Sequence, residues 1–234
     1  MTSNAALEQC RFAVVDVETT GTKAPPVGGG RILEVAVAIL EGGTVHLAFH
    51  ALLDPGISIT PWVTRLTGIT DALVAGRQRF ADVVSDLGRA LEGAVFVAHN
   101  ARFDWGFLAA ECAAVGVPPP GGRPVCTVRL TRRLVPELRH RSLDDLASFF
   151  SVANPARHRA FGDALATAYI LRSLLWRARE RGVETLEQLV DLHDRTRHRR
   201  MQNSECGMRN VRAKVDLRAT FHFNSAFRIP HSEF

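Results

Sequence analysis

Asp16 and Glu18 stand one residue apart at the end of a short apolar run, Phe12-Ala13-Val14-Val15. Such a run reads as a buried strand, and a strand turns residues i and i+2 to the same side. Both carboxylates can therefore reach one cation. Two acids buried together are costly without a counter-charge, and a divalent metal is the usual solution where hard oxygen ligands gather. A solvated turn is the alternative reading, because Asp and the following Thr19-Thr20-Gly21 are common turn residues. Asp104 falls in the first turn of a helix that follows His99-Asn100-Ala101-Arg102-Phe103. An acid there also complements the positive end of the helix dipole. Asp163 opens another helix, five residues after His158, and carries the same structural alternative. Together they supply four carboxylates and one titratable base. Four acids can hold two Mg²⁺ or Mn²⁺ ions roughly 4 Å apart, the arrangement suited to in-line phosphoryl transfer. Histidine, with an unperturbed pKa of about 6.5, suits removal of a proton from an attacking water.

The elements that must position these residues follow from hydrophobic period and turn chemistry. Residues 11–18 read as the first strand, 19–30 as a loop rich in Thr, Gly and Pro, and 32–40 and 44–53 as two strands joined by Glu41-Gly42-Gly43. An antiparallel three-strand start is the expectation. Short helical pieces at 61–66 and 71–75 flank Thr67-Gly68-Ile69-Thr70, and 79–91 carries apolar residues at helical spacing. A strand at 94–98 then delivers His99 and Asn100, before a helix over 101–115. A brief strand at 124–126 precedes helices near 128–134 and 142–150, the latter opening with Ser142 and Asp145 much like a capping box. Residues 154–159 form a loop, and 160–179 a long helix. Strands first and helices interleaved afterwards predict an α/β domain with a mixed sheet.

The chain has 234 residues, 46% hydrophobic and 23% charged, a globular composition. No apolar stretch approaches the roughly 20 residues of a membrane span, and residues 1–9 lack a basic segment followed by an apolar run. The expectation is a cytoplasmic protein with no membrane partner. Cys10, Cys112, Cys126 and Cys206 lie far apart, which argues for reduced thiols rather than a zinc site or a disulfide framework. Residues 195–234 hold nine Lys/Arg against three Asp/Glu, a balance of +6, while the rest of the chain is near neutral at −1. Periodicity fails from Arg195 onward. The expected organisation is a domain over 1–194 and a basic C-terminal tail over 195–234, read either as nucleic-acid attraction or as a disordered, solvated end.

Three separated segments resemble, in order and spacing, the exonuclease motifs of the DEDDh family, whose members include the proofreading epsilon subunit of bacterial DNA polymerase III. They are Val15-Asp16-Val17-Glu18-Thr19-Thr20-Gly21, His99-Asn100-Ala101-Arg102-Phe103-Asp104 and His158-Arg159-Ala160-Phe161-Gly162-Asp163-Ala164. Leu66-Thr67-Gly68-Ile69-Thr70 and Ser142-Leu143-Asp144-Asp145-Leu146 also look like family segments, and the resemblance spans 11–178. It implies a ribonuclease H-like fold and metal-dependent hydrolysis from the 3′ end of nucleic acid, releasing nucleoside monophosphates. It implies Asp16, Glu18, Asp104 and Asp163 as metal ligands and His158 as general base, the histidine assigning the subclass. Thr19, Thr20, Leu66 and Thr67 would lie against the terminal nucleotide, with Asn100 and Phe103 lining the same cleft. DNA is the expected substrate, in a proofreading role, and an RNA-trimming exonuclease is the alternative. A non-catalytic module that grips a 3′ end or a polymerase is a further alternative, which the complete set of acids opposes. A polymerase subunit or a sliding clamp is the implied partner. Gln188-Leu189-Val190-Asp191-Leu192 loosely resembles a clamp-binding peptide, but its apolar spacing fits a last helix packed on the domain better.

Overall fold

The computed structural model describes residues 5–194. The basic segment expected over 195–234 lies outside the described residues. Strand β1 spans Phe12–Thr19, β2 Ile32–Glu41 and β3 Thr44–Leu52, and the three pair antiparallel in succession. Gly42 and Gly43 close the β2–β3 hairpin with positive φ at both positions, 55° and 80°, as a two-residue turn matched to strand twist requires. Helices α1 (Pro61–Thr67), α2 (Asp71–Val74) and α3 (Phe80–Leu91) then lead to β4 (Val95–Ala98), which runs parallel to β1. Helix α4 (Arg102–Ala114) follows, then β5 (Val125–Cys126), parallel to β4, and helices α5 (Thr127–Leu134), α6 (Leu143–Phe150), α7 (Ala160–Arg179) and α8 (Leu186–Asp194). The sheet order is β3-β2-β1-β4-β5. The mixed five-stranded sheet with an antiparallel start is as expected, and element ends differ from the expected ones by a residue or two, where helices fray. No helix among the described residues is long and apolar enough to cross a membrane.

The alternation along β1 builds a core on each face of the sheet. Phe12 and Val14, with Ala36, Ala38 and Leu40 of β2, face Ala164, Ala168, Leu171 and Leu174 of α7. Ala13, Val15 and Val17, with Val35, Val37 and Ile39, join Phe80, Val83 and Leu87 of α3 and Phe107 and Leu108 of α4 on the other face. Alanines along the buried stripe of α7 let that helix pack across β1, β2 and β3. Ile170, Leu171 and Leu174 are fully buried there, worth about 1.5–3 kcal/mol each. Asp16, Glu18 and Glu34 continue the face that looks toward α7.

The β1–β2 register runs Glu18 opposite Glu34 and then Thr19 opposite Ile32, which leaves Leu33 unmatched in a bulge. Leu33 is fully buried with Ile59, Val63, Ile69 and Val74. That cluster fastens α1, α2 and the Leu66-Thr67 segment beside the end of β1. Bulges commonly re-aim side chains next to functional sites in this way.

Helix α8 settles the reading of residues 188–192 in favour of the packed helix. Leu189 is fully buried, and the buried His193 accepts the Cys126 N–H at its Nε2, 3.0 Å away. A Leu189 held in the core cannot serve as the anchor of a clamp-binding peptide.

Candidate active site

One carboxylate oxygen from each of Asp16, Glu18 and Asp163 lies within 4.8 Å of the other two. Strand alternation puts the first two on the α7 side of β1. Asp163, the fourth residue of α7, meets them because the helix starts at the end of that strand. Its own orientation is fixed twice: Asn154 donates from Nδ2 to Oδ1 at 2.5 Å, and the His158 backbone N–H donates to Oδ2 at 3.2 Å.

Asp104 comes from the opposite face. It sits in the first turn of α4 and is 2% exposed, and its Oδ1 accepts the Val17 backbone N–H at 3.2 Å. Its Oδ2 is buried without a hydrogen-bond partner. Val17 lies between Asp16 and Glu18, so this bond ties the fourth acid to the same strand end.

Charge crowding shapes how these groups ionise. Burial first, then Asp104, Asp163, Glu18 and Glu34 in turn, push the Asp16 carboxyl well above the usual carboxylate range. Glu18 rises to about 8, through burial and then the charges of Asp163, Glu34 and Asp104, with Arg159 working the other way. Asp104 rises to about 7 through burial, against the pull of its own and the Val17 N–H. Asp163 is also raised, mainly by burial. A set of hard oxygen donors that repel one another, one of them a buried oxygen with nothing to accept from, fits a divalent cation.

His158 is half-buried in the loop before α7 and has φ 59°. That left-handed conformation is uncommon for a residue with a β-carbon. The loop doubles back so closely that a Cβ on Gly162 would sit 2.8 Å from the carbonyl carbon of Ala156. Only glycine allows that approach.

The residues expected against the nucleotide have the following local roles. Thr19 donates to the Gly21 carbonyl at 2.7 Å and Thr20 accepts the Arg31 N–H at 2.9 Å, each 8% exposed. Thr67 donates to the Val63 carbonyl and accepts the Ile69 N–H. These three hydroxyls shape the backbone, while Leu66 is exposed. Asn100 has φ 66°, turning the chain from β4 into α4, and Phe103 packs on Phe107 with centroids 4.9 Å apart.

Two buried acids, Glu34 and Glu111, were not singled out in the sequence. Glu34 is fully buried and bonded to Arg159, His50 and the Ala160 N–H. Glu111, buried in α4, receives both Arg31 Nε and Nη2 and the Ile32 N–H, pinning the end of the 19–30 loop. A lone acid inside an otherwise apolar stretch, as Glu34 is in 32–40, was the available signal, because a buried carboxylate must have partners.

A mixed α/β sheet with an acidic cluster at the end of its central strand defines a nuclease-type domain. The exonuclease family model, RNase_T, matches residues 13–171, and the chain belongs to that family. It is 35% identical over 179 residues to the 3′-5′ exonuclease DinG of Bacillus subtilis, covering 76% of this chain and 19% of that protein. It is 31% identical over 230 residues to the PolC-type DNA polymerase III of Halalkalibacterium halodurans, covering 95% of this chain and 16% of that protein. The chain thus spans less than a fifth of the length of either relative. The solved structure of exonuclease X in complex with 5′ overhanging duplex DNA superposes with a TM-score of 0.60 at 28% identity, covering 78% of this chain and 99% of that one. The resemblance to DEDDh exonucleases and the ribonuclease H-like fold are borne out.

Proposed function

We propose that the chain removes nucleotides from the 3′ end of DNA by metal-dependent hydrolysis, releasing nucleoside monophosphates, in a proofreading role. The observation that carries this reading is the convergence of Asp16, Glu18 and Asp163 within 4.8 Å, with the unpartnered Oδ2 of Asp104 on the same strand end and His158 bonded to Asp163. Asp16, Glu18, Asp104 and Asp163 would hold two Mg²⁺ or Mn²⁺ ions, which when bound supply Lewis-acid stabilisation of the phosphoryl charge and ease ionisation of water.

The chain's own groups do the rest. Asn154 and the His158 N–H hold both oxygens of Asp163 in place, and the Val17 N–H holds one oxygen of Asp104. An imidazole nitrogen of His158 takes the proton from the water whose oxygen bonds to the scissile phosphorus; the bond from phosphorus to the 3′ oxygen of the preceding nucleotide breaks, that oxygen takes up a proton from solvent, and the imidazolium returns its own to solvent. The exposed Leu66, beside the ordered turns of Thr19, Thr20 and Thr67, offers an apolar surface for the terminal base. Asn100 and Phe103 would line the same cleft. The similarity to a PolC-type DNA polymerase III supports a DNA polymerase as partner, and the free thiols of Cys10, Cys112 and Cys126 suit the reducing cytoplasm.

The test is digestion of end-labelled single-stranded, paired and mispaired DNA and a matched RNA strand, with Mg²⁺, Mn²⁺ or EDTA. Stepwise mononucleotide release from the 3′ end that stops in EDTA is expected, fastest on DNA. Faster release from RNA would favour the RNA-trimming alternative, and binding without release would favour the non-catalytic one.

A further inference from the structure

Glu34 is 0% exposed near the start of β2, directly opposite Glu18. An acid so placed is tolerated only if donors surround it. Four do: His50 Nε2 of β3 at 2.7 Å, Arg159 Nε at 3.0 Å, Arg159 Nη2 at 2.8 Å and the Ala160 N–H at 2.9 Å. Arg159 and Ala160 are the two residues that follow His158. The Asp163 N–H then bonds back to the Arg159 carbonyl at 3.0 Å. The guanidinium also lies 5.6 Å from the centre of the Phe161 ring, which packs edge-to-face with His50, ring centres 5.2 Å apart.

This cage matters because His158 has a positive φ. A strained conformation of this kind persists only where its surroundings over-determine it. On one side His158 is held by its N–H to Asp163. On the other, a rigid two-point fork joins its neighbour to a strand.

We infer that Glu34 is a positioning residue for His158: by clamping Arg159 and the start of α7 to β2, it fixes the backbone that aims the imidazole at the acidic cluster. The inference rests on the reading of His158 as general base. A bond to the Ala160 N–H alone would suffice to cap the helix. The additional fork on Arg159 fixes the residue beside the base.

The test compares Glu34→Gln, Arg159→Lys and His158→Ala in the full chain, with each of the two clamp substitutions also made in the His158→Ala background. Thermal denaturation confirms folding, and Arg159→Lys, which keeps the charge at a partly exposed position but loses the fork, carries the test should Glu34→Gln fail to fold. On a short DNA oligonucleotide with Mg²⁺, each of the two clamp variants should lower kcat by about 10- to 100-fold, the scale of a displacement near 1 Å, with KM unchanged. Neither should lower kcat further once His158 is alanine, because coupled sites are not additive. Equal losses in the wild-type and His158→Ala backgrounds would make Glu34 merely structural and overturn the inference. Undiminished kcat in His158→Ala alone would instead overturn the general-base reading, and the inference with it.

Discussion

Glu18 and Glu34 face each other across β1 and β2 as register partners, yet their carboxyls are driven in opposite directions. Burial raises Glu34, but the bonds from His50, Arg159 and the Ala160 N–H together outweigh it and leave its pKa below the ordinary value. Glu18 is lifted to about 8 by burial and by the surrounding acids. The same sheet thus keeps one acid ionised as a structural anchor and crowds the other until a cation is needed.

The metal-free protein should therefore lose stability as pH rises. Glu18 and Asp104 titrate near 8 and 7 in the folded chain, against ordinary values of 4.5 and 3.8. Between those limits the folded state keeps protons that the unfolded chain has shed, so stability is full below about pH 4 and falls through pH 8. Thermal denaturation in EDTA from pH 5 to 9 should show Tm falling across this window, and Glu18→Gln should flatten the slope. Added Mg²⁺ should raise Tm more at pH 8 than at pH 6. A Tm that rose with pH and ignored Glu18→Gln would contradict the crowding.

Asp16→Asn should abolish cleavage and raise the Tm of the metal-free protein. It removes a donor from the cluster and relieves repulsion with Asp104, Asp163 and Glu18. Each kcal/mol relieved corresponds to about 2–4 °C for a chain of this size. Asp163→Asn should abolish cleavage as well. Near-normal turnover by either variant at neutral pH with Mg²⁺ would remove that acid from the site.

Gly162→Ala should cost about 1–3 kcal/mol, as overpacking does, and slow cleavage as well. The new Cβ would press on Ala156, in the loop that ends at His158. Gly106→Ala is the control: nothing lies within 4 Å of its Cβ position, and it sits inside α4, where alanine is favoured by roughly 0.5–1 kcal/mol. Differential thermal stability and kcat of the two variants decide the matter. Equal behaviour would mean the loop yields freely.

Deleting residues 195–234 should spare cleavage of short oligonucleotides, since all the acids and His158 precede them. The +6 balance of the segment should strengthen binding to longer strands through counterion release. The loss on deletion should be largest at low salt and shrink as salt rises, measured as KM against strand length. Loss of activity on a dinucleotide by a folded truncation would place the segment in the active site.

By itself the sequence indicated the strand that carries Asp16 and Glu18, because an apolar run followed by acids at i and i+2 turns both acids to one side of a sheet. It also determined the helix starts around Asp104 and Asp163, the long helix over 160–179 and the antiparallel beginning, since hydrophobic period and glycine turns are local signals. Only the tertiary structure decided that Asp104 is tied to Val17 from the other face of the sheet, with its second oxygen left unpaired. It alone showed that Asn154 holds Asp163, that Glu34 reaches Arg159 across 125 positions of chain, and that His158 turns through a positive φ. Those relationships depend on how strands and helices cross, and no periodicity records a contact between side chains so far apart in sequence.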